Sequence, residues 1–121
     1  MSKVLFNSYE NAKKVEKIKA IKLMKNADEL KDMLDNEMTV TGLNVVDEDD
    51  VVTDEGVVIS IRTTYVFTAD ACYKTTSKYF SRTMIDMVEF LGSDTFPLTI
   101  KIVKVKIADG YNDALGFDVV E

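Results

Sequence analysis

The stretch VVISIRTTYVFTA, residues 57–69, constrains this chain most. Its side chains alternate in character with a period of two, the signature of a β-strand with one face on a core and the other in water. Val57, Ile59, Ile61, Thr63, Tyr65 and Phe67 read as the buried face. Val58, Ser60, Arg62, Thr64, Val66 and Thr68 read as the wet face. An isolated strand of this length is not stable, so the chain must supply partners for it.

Those partners are readable on both sides. Residues 37–46, EMTVTGLNVV, are rich in β-branched residues, and Gly42 inside them predicts a bend or bulge. The acidic run Asp47 to Asp50 is expected to interrupt that strand. Asp54-Glu55-Gly56 predicts a hairpin turn. A short third strand is expected near residues 71–76. A helix follows: Ser77 is a good N-cap, Phe80, Met84, Met87, Val88 and Leu91 form one apolar stripe, and Gly92 suits the stop. The fourth strand is LTIKIVKVKIA from Leu98, with a phase shift after Ile102 that predicts a bulge. The fifth is ALGFDVV, beyond a turn at Asp109-Gly110.

Ahead of these strands the pattern is helical. Asn7 with Glu10 fits a capping box, opening a helix with Ala12, Val15 and Ile18 on one face. A short strand is expected at residues 21–23. Asn26 with Glu29 reads as a second box, before Leu30, Met33 and Leu34. Seven lysines lie between Lys13 and Lys31. The expectation is one domain: an N-terminal helical extension over 1–36 and a barrel over 37–121. The fold class is mainly β with helices. The order strand, strand, strand, helix, strand, strand is that of a five-stranded OB-like barrel, whose helix between strands 3 and 4 plugs one end. An open sheet backed by helices is the alternative.

Composition narrows the chemistry. The chain has no histidine and one cysteine, Cys72. Histidine-dependent nucleophiles, most zinc sites and an internal disulfide are therefore excluded. No Gly-rich phosphate loop appears. The expectation is a protein that is not an enzyme and carries no cofactor or metal. Adjacent acids such as Asp47 to Asp50 seldom make a defined Mg²⁺ site. No apolar run is long enough for a membrane helix and no signal peptide is evident, which predicts a cytoplasmic protein.

The net charge of −6 is segregated. Residues 1–36 hold eight basic and six acidic side chains. Residues 37–61 hold seven acidic and none basic. Residues 62–106 hold seven basic and four acidic, and residues 107–121 hold four acidic and none basic. Local patches govern binding more than totals do.

The segment ACYKTTSKYFSRTMIDMVEFLG, residues 71–92, resembles small single-stranded-DNA-binding proteins encoded by phages of Gram-positive bacteria. There a strand ending in Tyr-x-Thr-x-Ser leads into a helix ending in Phe/Leu-Gly, and a Lys-rich strand and a hairpin follow. YKTTS, FLG and LTIKIVKVK match here, and the resemblance covers about residues 28–121. It departs at ADGYND, where such proteins have a more basic turn, and the chain lacks the long acidic tail of bacterial housekeeping counterparts. The resemblance implies non-catalytic binding of single-stranded DNA in phage replication or recombination, in the host cytoplasm. Phage replication or recombination proteins and a homo-oligomer are the further partners, with no membrane. Such a surface needs a cationic groove and aromatic faces. Arg62, Thr64, Tyr73, Lys74, Thr76, Lys101, Lys104, Lys106 and Tyr111 are the expected nucleic-acid-binding residues. The competing expectation is a protein-binding module or phage inhibitor of a host factor, acting through the acidic 47–55 surface. A purely structural role is the third.

Overall fold

A computed structural model describes residues 2–107 and 112–120. The elements run β1 (Ser2–Asn7), α1 (Lys14–Lys25), β2 (Asp28–Glu29), a 3₁₀ turn (Leu30–Met33), β3 (Glu37–Val40), β4 (Gly42–Val52), β5 (Val58–Phe67), β6 (Cys72–Thr75), α2 (Lys78–Leu91), β7 (Leu98–Ile107) and β8 (Asn112–Val119). The protein is mainly β, with two α-helices.

Two sheets form. One has the order β1-β4-β5-β6-β2, the other β3-β7-β8. They are joined where the chain bends between Val40 and Gly42, at the expected glycine. A Cβ at Gly42 would come 2.7 Å from the Tyr9 hydroxyl oxygen and 2.8 Å from its ring, so a larger residue there would have to push that side chain aside. Among the described residues no ladder joins β6 to β8. The sheets therefore do not close into the expected barrel.

The main core lies between the sheets and α2. Val40, Leu43, Val45 and Val66 meet Phe80, Met84, Ile100 and Ile102 there. The α2 boundaries follow the sequence closely. The Ser77 hydroxyl accepts from Phe80 N at 3.2 Å, and Gly92 takes φ +64° at the far end. Phe80 also meets Phe117 edge to face at 5.3 Å between centroids. A second, smaller core lies on the other side of the five-stranded sheet. Ala20 of α1 covers Phe67 and Cys72 there, with Tyr9 and Tyr65 at its margin.

Several expectations are corrected. Residues 2–7 are a strand, not the start of a helix, because β4 offers an open edge that Val4 and Phe6 can pair with. Asn7 does use its side chain, but Oδ1 accepts from Tyr9 N at 2.9 Å in a turn that ends the strand. Residues 21–23 lie inside α1, and Asn26 ends that helix, donating Nδ2 to Lys22 O. The helix presents Ala20, Leu23 and Met24 to the sheet, leaving Val15 and Ile18 exposed. The acidic run does not stop β4, which continues to Val52 with a register shift between Glu48 and Val51. The β7–β8 ladder runs unbroken from Ile100 to Ile107, so no bulge follows Ile102.

Burial along β5 also departs from the expected alternation, for its second half is covered on both faces. Thr64 and Val66 are fully buried against the main core, while Val57 and Ile59 are exposed. Thr64 was expected to be wet. It is buried because α2 covers the face that sequence alternation assigned to solvent, while α1 and Cys72 cover Phe67 on the other. Its Oγ1 finds no hydrogen-bond partner among the described residues.

Candidate functional site

Beyond Thr64, β5 outruns its neighbour β6. Pairing with β6 covers Thr64 to Phe67 only, so residues 58–63 present a free strand edge. The start of α2 stands beside this edge. Between them lies a cleft of about 260 Å³ lined by Asp47, Ser60, Arg62, Lys78 and Arg82. It continues into a shallow depression along Ile59, Ile61 and Thr76.

Arg62 is held in place from behind. Its Nε donates to Asp47 Oδ1 at 2.8 Å and its Nη2 to Asp47 Oδ2 at 3.2 Å, a two-point clamp. This hydrogen bonding keeps the Asp47 carboxyl below the usual carboxylate range and raises the guanidinium further. Register explains the match: Asp47 and Arg62 are cross-strand partners on β4 and β5.

Lys78 and Arg82 stand four residues apart on α2, so both project from one side of the helix. Both are exposed, and neither forms an ion pair among the described residues, where Arg62–Asp47 is the one salt bridge. The cleft lining thus sets three cations against the Asp47 carboxylate, and a second carboxylate, Asp49, accepts from the lining Ser60 hydroxyl at 2.9 Å. It also lies at the N-terminal end of α2, which has no acidic residue in its first turn. The helix dipole adds to the attraction for an anion there. The Ser77 hydroxyl donates to Leu115 O at 3.2 Å, which ties this helix end to β8. Tyr79, half exposed, leans on β8 where Gly116 leaves room: a Cβ there would lie 3.2 Å from the ring.

The sequence-expected residues are dispersed around this cleft. Arg62 and Thr76 line it. Thr64 is sealed beneath it. Tyr73 is half-buried, packed on the main core. Lys74 pairs with Tyr65 and with Glu29 of β2, on the sheet face opposite Val66 and Arg62. Lys101 is half-buried, with Glu37 and Asp118 as its two cross-strand neighbours. Lys104 and Lys106 are exposed. Lys104 pairs with Leu115, one strand from the α2 N-terminus. Tyr111 lies outside the described residues. Sequence reasoning passed over Lys78 and Arg82. Their signal was present: two cations at i and i+4, opposite the apolar stripe of a helix already identified.

Comparisons with protein-family models, with curated proteins and with solved structures found no match.

Proposed function

We propose that this protein binds single-stranded DNA without catalysis, in the groove between the free edge of β5 and the start of α2. The observation that carries the reading is the juxtaposition of Arg62, Lys78 and Arg82 in one cleft whose lining holds a single acid, Asp47. The three cations take backbone phosphates. Ile59, Ile61 and the half-exposed Tyr79 offer apolar and aromatic surface to the bases. Lys104 and Lys106 extend the cationic track along β7. The bent β3–β4 strand, paired to β7 on one side of the bend and to β5 on the other, supports an OB-like arrangement left open between β6 and β8. The resemblance at residues 71–92 supports a role for this binding in phage DNA replication or recombination, in the host cytoplasm.

Fluorescence anisotropy with a labelled oligo-dT at two salt concentrations tests the reading. Binding should weaken steeply as salt rises. Replacing Lys78 and Arg82 together with Ala should cost about tenfold or more in affinity and lower the salt slope by about two. No binding at low ionic strength would sink the proposal, and an unchanged slope in the double variant would move the groove elsewhere.

A further inference from the structure

The β4–β5 hairpin beyond Asp47 and Arg62 projects as an arm whose tip is left uncovered by the described residues. The turn is well formed: Thr53 N donates to Val57 O at 2.9 Å, and Gly56 takes φ +80°. Its apolar side chains are nonetheless in water. Val52 is 65% exposed and Val58, its cross-strand partner, 60%. Val57 and Ile59 are exposed too. Around them stand Glu48, Asp50, Asp54 and Glu55, all exposed. The arm carries no lysine or arginine, and Arg62 at its foot is clamped to Asp47. A strand ribbon with this much exposed valine and an open edge ordinarily has a partner.

The complementary surface is on α1. Ala20, Leu23 and Met24 turn to the small core. The opposite face shows Val15, 77% exposed, with Ile18 and Ile21, 54% exposed. Lys14, Lys22 and Lys25 fall on that same outward side at helical spacing. One surface is apolar with an acidic rim, the other apolar with a basic rim.

The two cannot meet within one molecule. Helix α1 sits over the Phe67 end of β5 and the tip of the arm lies at its Val58 end, about 30 Å apart at the rise of a strand. We infer that the arm of one copy docks on the outward face of α1 of a second copy. The two patches are different surfaces, so the contact is head to tail and propagates into a ring or a filament rather than closing as a symmetric dimer. It uses none of the groove's cations, Ile59 alone bordering both surfaces, and does not depend on the DNA-binding reading.

Sedimentation velocity of the full chain at low salt tests this. Species larger than a dimer should grow with concentration, and raising NaCl to about 0.5 M should weaken association at least tenfold. Glu48→Lys, Asp54→Lys and Glu55→Lys together turn the arm from five exposed acids to three lysines and two aspartates, and Lys22→Glu with Lys25→Glu turns the helix face from three lysines to one lysine and two glutamates. Each multiple variant alone should be monomeric, and mixing the two should restore assembly because each reversed surface then meets its complement. Circular dichroism checks that the variants are folded, and Glu55→Lys and Lys25→Glu singly ask the same question with less perturbation. A wild-type monomer at every concentration at low salt would overturn the inference. So would assembly that survives both reversals, as it would if exposed Phe90 of α2 made the contact, or a mixture that stays monomeric.

Discussion

The two halves of β5 have the same kind of sequence and opposite fates. From Thr64 to Phe67 the strand is covered on both faces, by the main core and α2 on one side and by α1 on the other. From Val58 to Ile61 neither face is covered by a buried cluster, and valine and isoleucine stand in solvent. Burial changes along this strand more than across it. Alternation of side-chain type reports a difference between faces only where one face has a cover and the other does not.

The sharpest way to break this comparison is to truncate one apolar side chain in each half. Phe67→Ala removes a fully buried ring that also meets Tyr9 edge to face at 4.9 Å, and should cost about 3–5 kcal/mol in urea unfolding. Ile59→Ala, in the bare half, should change stability by no more than about 0.5 kcal/mol. Equal costs would mean that the arm is covered in solution even in the monomer.

Cys72 probes the cover over Phe67, its cross-strand partner. Burial pushes its thiol up from 9.0 to about 12. Native labelling by a disulfide reagent at pH 8 should run roughly a thousandfold slower than in urea. Because the folded pKa is raised, the stabilisation linked to Cys72 is intact below about pH 9 and is lost as pH climbs toward 12. Prompt native labelling would show that α1 lifts off readily.

Thr64 marks the boundary between the halves. Its buried hydroxyl lacks a partner among the described residues, so Thr64→Val should stabilise the protein by about 1 kcal/mol and leave oligo-dT affinity unchanged. A loss of affinity would return Thr64 to the wet face that its sequence position suggested.

The smallest effect concerns the clamp at the foot of the arm. Asp47→Asn removes the acid of the cleft lining and should tighten oligo-dT binding by about threefold. The pair's contribution to stability is present above the ordinary carboxylate range and is lost as pH falls through the lowered pKa of Asp47. A pH titration of the melting temperature, wild type against Asp47→Asn, should therefore converge at acid pH.

Features that depend on neighbours in sequence were legible. Helix α2 with its cap at Ser77 and stop at Gly92, and the turn at Gly56, each rest on local backbone chemistry. Features that depend on distant coverage were not. Val4 and Phe6 belong to a strand only because β4 has an edge to fill, and α1 buries Ala20 rather than Ile18 because Phe67 and Cys72 happen to lie beneath it. The cationic set divided for the same reason. Arg62 was found on a strand, but the cations that join it, Lys78 and Arg82, come from a helix whose placement over β5 no local pattern reveals.

The bend at Gly42 also orders events during synthesis. The residues after it pair with β5, which emerges soon after them, whereas Glu37 to Val40 pair with residues 98–101. As the chain leaves the ribosome, β4, β5 and β6 can register while β3, with Met38 and Val40 destined for the core, has no strand to join until β7 arrives. A nascent chain stopped before Leu98 therefore displays that apolar segment, and a chaperone that reads short extended hydrophobic stretches would find it there.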